Sequence, residues 1–323
     1  MIAKPKLLVT RRLPEAVERH LTETWDTTLS VDDAPLDRAA LRRAMVDYDA
    51  WMPTITDRID ADLLGVSGRR VRIVANYGAG VDHIDLVAAK AAGVLVTNTP
   101  DVLTEATAEI AILLMLMTAR RAGEGEREVR AGAWTGWRPS HLIGQGLTGK
   151  TLGLIGFGRI AQATAAKARG LGMRIVYASR SAAPPDVART LDATRVDSPE
   201  ALAAACDVLS LHVPGGDETR HLVDAALLAR MRRHAIVVNT ARGPVIDEAA
   251  LAAALHQGRI AGVGLDVYER EPAIHPHLLA HPRAVLLPHL GSATIEARTA
   301  MGMRAADNLA AFFAGEEPTD RVA

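Results

Sequence analysis

The sequence has few of the features that mark several protein classes. It contains a single cysteine, Cys206, which excludes a disulfide framework and a cysteine-based metal site. Positive and negative side chains nearly balance to a net charge of −1, so the chain lacks the basic field of a nucleic-acid-binding protein. We therefore expect a reducing compartment, no metal site and no nucleic-acid partner.

Long apolar segments are also missing. The N-terminal residues MIAKPKLLVTRRLPEAV lack the apolar core of a signal peptide. The most apolar helical stretch, Ala108 to Ala119, is too short to span a bilayer. There is no internal repeat at solenoid period. These absences predict a cytoplasmic protein that does not act in a membrane.

What the sequence does contain is a distinct supersecondary pattern between residues 150 and 180. A short apolar run precedes the turn GFGRIA (residues 156–161), and an alanine-rich helical stretch and a second apolar run follow it. Gly156 permits a tight turn, Gly158 lets a pyrophosphate approach the backbone, and Ala161 lets the helix pack closely on the strand. The helix N-terminus offers unpaired N–H groups to phosphates. The pattern predicts dinucleotide binding.

The remaining chain predicts a second α/β region and a subunit contact. A length of 323 residues exceeds a single core, and residues 1–99 alternate short apolar runs with helical patterns, as in a parallel sheet. The stretch Thr104 to Arg121 reads as a helix that is apolar around most of its circumference, which indicates burial. Residues 122–147 read as an extended arm. Helix and arm together predict a homodimer.

Polar residues follow the apolar runs of the second half of the chain. Ligands bind outside the carboxyl ends of the strands in open α/β sheets, so these residues are expected at a cofactor and substrate site. They are His212-Val213-Pro214, Asn239-Thr240-Ala241-Arg242, Asp266 and Pro288-His289.

Several motifs in order along the chain resemble one family. They are NYGAGVDHIDL, NTPDVLTEATAEIAILLMLMTAR, GKTLGLIGFGRIAQA, LHVP, NTARGPVIDEAAL, GVGLDVYEREP and LPHLGSAT. The chain resembles the D-isomer-specific 2-hydroxyacid dehydrogenases, and most closely their glyoxylate and hydroxypyruvate reductase branch. The resemblance covers nearly the whole chain.

The resemblance implies a fold of two Rossmann-like, doubly wound α/β domains with a cleft between them. The expected substrate-binding domain is flavodoxin-like and discontinuous, with residues 1–99 and 291–323. The expected dinucleotide-binding domain comprises residues 100–290, including the dimerisation helix and arm at 104–147.

The catalytic residues are expected to be Arg242, Glu271 and His289. A reductase of 2-oxo acids must hold a carboxylate and polarise a carbonyl, and the fork of Arg242 suits both tasks. Histidine is the natural proton donor because its usual pKa of about 6.5 lies near operating pH. The resemblance pairs His289 with Glu271, chosen over nearby Glu269 by its spacing from Asp266. It also places Asp266 beside the nicotinamide and this pair.

Further contacts are implied by the resemblance. It places the substrate carboxylate on the N–H groups of Ala79 and Gly80, in the glycine loop GAGV, and Trp137 in the substrate pocket of a neighbouring subunit. A packed aromatic is the alternative for Trp137. The cofactor contacts are expected at Thr104, Gly156, Phe157, Gly158, Arg159, Ile160, Ser179, Arg180, His212, Val213, Pro214, Thr219, Thr240, Ala241, Asp266, His289 and Gly291.

The cofactor preference is predicted from the end of the second strand of the dinucleotide unit. NAD-preferring units place a carboxylate there for the ribose hydroxyls. Here Ser179 and Arg180 follow the strand, and no acid occurs before Asp186. Both side chains can donate to a ribose phosphate, so NADP(H) is preferred, with NAD(H) possible.

Other functions remain open. D-3-phosphoglycerate dehydrogenase or another D-2-hydroxyacid dehydrogenase is the nearest alternative, although the chain stops at Ala323 without a regulatory domain. Formate dehydrogenase relatives carry an amide where this chain has Glu271. A nicotinamide-sensing corepressor is a non-enzymatic alternative on the same fold.

Overall fold

The computed structural model describes residues 4–323, which form two compact units. Within these residues, the first unit comprises residues 4–103 and Ala293–Ala323, and the second comprises Thr104–Ser292. Within the described part of the chain, every helix is too short or too polar to cross a membrane.

The first unit alternates strands and helices. Its elements before residue 100 are β1 (Lys6–Val9), α1 (Glu15–Thr24), β2 (Asp26–Thr28), α2 (Arg38–Asp47), β3 (Ala50–Met52), α3 (Ala61–Leu64), β4 (Ile73–Ala75), α4 (Leu86–Ala91) and β5 (Leu95–Thr97).

The second unit repeats this alternation. Its elements are α5 (Thr104–Ala119), α6 (Ala122–Arg130), β6 (Thr151–Ile155), α7 (Arg159–Gly170), β7 (Arg174–Ala178), α8 (Pro185–Thr190), β8 (Ala193–Arg195), α9 (Pro199–Ala205), β9 (Val208–Leu211), α10 (Ala225–Leu228), β10 (Ile236–Asn239), α11 (Glu248–His256), β11 (Gly262–Leu265), α12 (Pro276–Ala280) and β12 (Ala284–Leu286). The chain then returns to the first unit in α13 (Ile295–Ala314).

Both sheets are parallel, so the prediction of two doubly wound α/β units is confirmed. The first sheet has the order β2-β1-β3-β4-β5, which is the flavodoxin-like order 2-1-3-4-5. The second has the order β12-β11-β10-β9-β6-β7-β8; numbered from β6, it is the doubly wound order 3-2-1-4-5-6 with one further strand. Strand order reverses between β1 and β3 in the first sheet and between β6 and β9 in the second.

Local sequence explains where these elements begin and what they bury. Aspartate side chains cap several helices by accepting a hydrogen bond from the N–H three residues later, as Asp37, Asp60, Asp85, Asp224 and Asp247 do. The central strands β6, β9, β10 and β11 are buried along their whole length, as expected for parallel strands covered by helices on both faces.

Two details differ from the sequence prediction. The segment expected to be an extended arm begins with a helix, α6, and only residues 131–147 are irregular. Two short edge strands, β2 and β8, are not predicted because a segment of three mostly polar residues is too short to show a periodicity.

Candidate functional site

The expected cofactor residues lie at one edge of the second sheet. Strands β6, β9, β10 and β11 are parallel neighbours, so their carboxyl ends meet at the same edge. The residues that follow these strands are therefore brought together. A site at the point where strand order reverses is the general rule for open α/β sheets.

The glycine turn after β6 has the geometry that a pyrophosphate requires. Gly156 has a φ of +85°, and a side chain there would overlap the carbonyl oxygen of His212 in the loop after β9. Gly158 directly precedes α7 and forms no side-chain cap, and no atom lies within 4 Å of the position that a β-carbon would occupy there. Ala161 is fully buried. The first turn of α7 thus offers N–H groups to an anion.

Beside this glycine turn lie a stacked pair of aromatic side chains and an uncharged histidine. Phe157 stacks on Tyr177 of β7 with ring centroids 3.9 Å apart. His212 Nε2 lies 2.9 Å from Ser210 Oγ, and burial lowers the pKa of His212 to about 3. The imidazole of His212 is therefore uncharged at neutral pH. Thr219 donates its hydroxyl to the carbonyl of Pro214, 2.7 Å away, and so shapes the same loop.

The end of β7 is rich in cationic side chains. Arg180 forms an ion pair of 2.9 Å with Glu218, and both side chains are largely exposed. Ser179 Oγ donates to the carbonyl of Ser181 at 2.6 Å. Arg195 of β8 donates to the carbonyls of Ser179 and Arg180, which puts a second guanidinium beside the loop. Sequence reasoning missed Arg195 because its contact depends on the unpredicted strand β8.

A buried amide shapes the turn that carries Arg242. Asn239, at the end of β10, donates to the carbonyl of Arg242 at 2.9 Å and accepts from the N–H of Ala241 at 2.9 Å. Arg242 also donates to the carbonyl of Ala241. The hydroxyl of Thr240 is buried and has no protein partner among the described residues, an orphan that fits a ligand at this strand end.

Asp266 organises the backbone around His289. Its two carboxylate oxygens accept from the N–H groups of Leu290 and Gly291, each at 2.7 Å. Its carbonyl accepts from the N–H of His289, at 2.9 Å. Burial raises the pKa of Asp266 more than these two N–H groups lower it. Gly291 is held further by the hydroxyl of Thr107, which donates to its carbonyl.

The structure places Glu271 against His289. The Nδ1 atom of His289 lies 2.9 Å from Oε2 of Glu271, and Oε1 accepts from the N–H of Tyr268 at 3.1 Å. Burial alone would raise the pKa of Glu271, but the hydrogen bond and charge of His289, the Tyr268 N–H and the charge of Arg242 together lower it. A carboxylate only accepts, so Nδ1 carries a proton and Nε2 is the nitrogen left for exchange.

The neighbouring glutamate has a different partner. Glu269 lies 3.0 Å from Nε2 of His221 and 3.4 Å from Arg220, and its backbone N–H donates to Glu248. The two glutamates of the EREP turn are thus divided between two histidines. Of these two glutamates, Glu271 is the one whose side chain contacts His289.

The remaining expected residues are located as follows. Thr104 is the first residue of α5, and Arg159 and Ile160 open α7. Val213 is half-buried against the core of the second unit. Ala79 and Gly80 follow β4 in the first unit and are half-buried. Trp137 is 83% exposed, which excludes the alternative that it is packed in this chain. No histidine, cysteine, aspartate and glutamate cluster suited to a metal occurs within residues 4–323.

Comparisons with known proteins give a consistent result. The model for "D-isomer specific 2-hydroxyacid dehydrogenase, NAD binding domain" matches residues 112–291. A glyoxylate reductase from Thermococcus litoralis is 43% identical over 323 residues, covering 99% of this chain and 97% of the relative. One from Aeropyrum pernix is 44% identical over 325 residues, covering 99% and 96%.

Solved structures extend the similarity to the fold. The crystal structure of an NADPH-dependent glyoxylate/hydroxypyruvate reductase from Sinorhizobium meliloti, in complex with NADP and malonate, aligns with a TM-score of 0.88. It is 36% identical, and the alignment covers 99% of this chain and 97% of that one.

Proposed function

The chain belongs to the D-isomer-specific 2-hydroxyacid dehydrogenase family, and on that premise we propose that it reduces small 2-oxo acids with a nicotinamide cofactor. Glyoxylate and hydroxypyruvate are the proposed substrates, and glycolate and D-glycerate are the products. The names of its relatives support this substrate class. The observation that carries the proposal is the contact of His289 with Glu271. The positive charge of Arg242 also lowers the pKa of Glu271.

Arg242 binds the substrate and activates it. Its guanidinium can pair with a carboxylate oxygen and also donate to the carbonyl oxygen of a 2-oxo acid. Asn239 holds the turn from which it projects. We propose that the N–H groups of Ala79 and Gly80, which belong to the first unit, also bind the substrate carboxylate.

His289 moves the proton. A bound nicotinamide supplies the hydride that reduces the carbonyl carbon. The developing alkoxide oxygen takes a proton from Nε2 of His289, because Nδ1 is held by Glu271. The carboxylate of Glu271 stabilises the imidazolium before transfer, and in the reverse direction the same nitrogen accepts the proton.

We propose NADP(H) as the preferred cofactor, with NAD(H) also accepted. The loop after β7 has Ser179 and Arg180 where a carboxylate would favour NAD, and Arg195 adds positive charge. Arg180 can exchange its exposed partner Glu218 for a ribose phosphate at little cost, since an exposed ion pair contributes only about 0–1 kcal/mol. The Sinorhizobium relative is described as NADPH-dependent.

We also propose a homodimer formed through α5, α6 and the arm. These segments expose apolar side chains that the unit itself does not cover, which are Leu113, Leu116, Val129, Trp134, Trp137 and Ile143. A second copy of the chain is the proposed occupant of this surface. As part of the same proposal, Trp137 reaches the substrate pocket of the second copy.

The activity is tested by following nicotinamide oxidation with glyoxylate, hydroxypyruvate, pyruvate and a bulkier aryl 2-oxo acid. We expect turnover on the small acids. His289→Ala should lose about 10²-fold or more in kcat while still binding the cofactor. Arg242→Ala should lose activity through both KM and kcat. His256→Ala and Arg233→Ala, which alter side chains away from the site, are the matched controls.

The outcomes separate the proposals. Turnover on no 2-oxo acid would contradict the enzymatic proposal and favour a nicotinamide-binding protein. Unchanged turnover in His289→Ala would contradict its role as proton donor. A higher kcat/KM with NADH than with NADPH would contradict the cofactor preference alone, and Ser179→Asp should lower kcat/KM with NADPH by about tenfold through charge repulsion.

A further inference from the structure

The loop Gly78–Val81, called the GAGV loop here, is held by a buried amide that the proposed chemistry does not use. We propose that Asn76, supported by His83 and Asn98, is the positioning residue of the GAGV loop. It turns the loop's carbonyl groups inward, so that the N–H groups of Ala79 and Gly80 face a substrate carboxylate. This inference rests on the proposed function.

Asn76 saturates both hydrogens of its side-chain amide on the loop. It directly follows β4 and is fully buried. Its Nδ2 atom donates to the carbonyl of Gly78 at 2.9 Å and to the carbonyl of Gly80 at 2.9 Å. The two carbonyls that flank Ala79 therefore point towards one side chain.

His83 fixes the orientation of that amide. The Oδ1 atom of Asn76 lies 3.0 Å from Nε2 of His83. An amide oxygen only accepts, so Nε2 of His83 is the donor. If the amide of Asn76 rotated by half a turn, its NH₂ group would face this donor and its oxygen would face two carbonyls. His83 thus selects the orientation that binds the loop.

Asn98 holds the third carbonyl. It directly follows β5, and its Nδ2 atom donates to the carbonyl of Ala79 at 2.8 Å. In a planar trans peptide the carbonyl and the next N–H point in opposite directions. With the carbonyls of Gly78, Ala79 and Gly80 all occupied, the following N–H groups point away from the two asparagines. Among the described residues, no backbone carbonyl accepts a bond from the N–H of Ala79 or Gly80.

Backbone conformation alone does not produce this arrangement. Neither Gly78 nor Gly80 has a positive φ, so the alternating left-handed geometry of an anion nest is absent. A β-carbon at Gly78 would lie 3.3 Å from Nδ2 of Asn76, so the amide packs tightly against this position of the loop. Side-chain hydrogen bonds therefore determine where the N–H groups point.

The first test compares Asn76→Ala with Asn308→Ala. Asn308 is also a buried asparagine of the first unit with donor and acceptor bonds, but it holds Arg304 and Asp320 instead of the loop. Asn76→Ala should raise KM for glyoxylate about tenfold to a hundredfold, with kcat nearly unchanged, because a charge-assisted bond made equally in ground and transition states is lost. The Kd of malonate, measured by calorimetry with NADPH present, should rise equally. Asn308→Ala should lower Tm only.

A second pair of variants tests the proposal without substituting Asn76 itself. His83→Leu deletes the donor that orients Asn76 and should raise the same KM and Kd. His83→Gln offers an amide N–H in its place and should restore them at least in part. If Asn76→Ala does not fold, these two variants still test whether Asn76 positions the GAGV loop.

Two results would overturn the inference. One is an unchanged KM and malonate Kd in Asn76→Ala or His83→Leu. The other is an equal rise in Asn308→Ala, which would indicate a general loss of packing. Both require active wild-type enzyme, whereas an inactive wild type would instead overturn the proposed function.

Discussion

Glu271 determines the tautomer of the histidine beside it, and with it which ring nitrogen is left for exchange. One oxygen holds Nδ1 of His289, and the other accepts from the N–H of Tyr268. Burial opposes ionisation of Glu271, yet the pKa is lowered because His289 and the Tyr268 N–H favour the carboxylate. The charged form is therefore the one present at neutral pH.

Replacing this carboxylate by an amide tests its charge. Glu271→Gln keeps the shape and one hydrogen bond but cannot stabilise an imidazolium, so we expect kcat to fall about 10²-fold. Steady-state kinetics with NADPH and glyoxylate measure it. Glu269→Gln is the matched control, since Glu269 pairs with His221 and its loss should leave kcat near the wild-type value. A fall of equal size in both variants would contradict the assignment.

The lowered pKa of Glu271 also predicts a pH-dependent stability. The folded state binds fewer protons at Glu271 than the unfolded state between the lowered pKa and the usual value of about 4.3. The contribution to the free energy of unfolding is complete above that range and disappears as pH falls through the folded pKa. Urea unfolding at pH 7 and below pH 4 should show wild type and Glu271→Gln converging in acid. A constant difference would contradict the prediction.

The residues of the site could be predicted from sequence only where a motif identifies them. Arg242, Glu271 and His289 stand in recognisable motifs, and the structure puts Glu271 in contact with His289. Asn76 and Asn98 were missed as contributors because their partners are backbone carbonyls of folded loops, which sequence does not reveal. Asn239 was expected at the site, but its hydrogen bonds to the turn were not predicted for the same reason. An asparagine at the end of a buried strand was the available signal.

At the scale of elements, the glycine turn between β6 and α7 depends on two glycines for different reasons. Gly156 has a left-handed backbone, and no space exists for a side chain beside the carbonyl of His212. Gly158 has an ordinary φ of −75° and open surroundings. The fold requires glycine at position 156, whereas at position 158 we expect the requirement to come from a bound cofactor.

Alanine substitutions should separate these roles. Gly156→Ala should reduce the free energy of unfolding by more than about 1 kcal/mol, from left-handed strain plus the overlap. Gly158→Ala should leave Tm near the wild-type value but raise the Kd of NADPH, because the methyl group occupies the path of the pyrophosphate. Thermal unfolding and calorimetry measure the two effects. An unchanged Kd in Gly158→Ala would contradict cofactor binding at this turn.

Which elements form was predictable to the extent that each has its own hydrophobic pattern. The strands β6, β9 and β10 are largely apolar runs and were identified from sequence. Helix α6 (AGEGEREVR) has two glycines and no buried residue, so its sequence reads as a loop. Strands β2 and β8 exist through pairing with β1 and β7, which is a tertiary effect.

At the scale of the whole molecule, the exposed apolar surface of the second unit predicts its assembly. Leu113 and Leu116 of α5 are 42% and 36% exposed although the rest of the helix is mostly covered. Leu113→Glu should convert the expected dimer to a monomer, because a charge would be buried in an apolar contact. Light scattering at assay concentration measures it. Leu279→Glu alters a leucine on α12 that is 65% exposed and should stay dimeric.

The outcome for the wild-type chain is equally informative. A wild-type monomer would contradict the proposed assembly. A dimer that survives Leu113→Glu would place the interface on another surface. Either result leaves the catalytic assignments within the second unit unchanged.

The short edge strands have a consequence for how the protein behaves in concentrated solution. A net charge of −1 and a sequence pI of about 6.8 leave little electrostatic repulsion between molecules near neutral pH. Protection against edge-to-edge pairing of sheets from different molecules must then come from the length and coverage of the edge strands. β2, β8 and β12 are three residues long, and the backbone of β5 is bonded to residues 322 and 323 at the C-terminus. With so little unpaired backbone at the sheet edges, we expect the molecule to resist fibril-like aggregation without relying on charge.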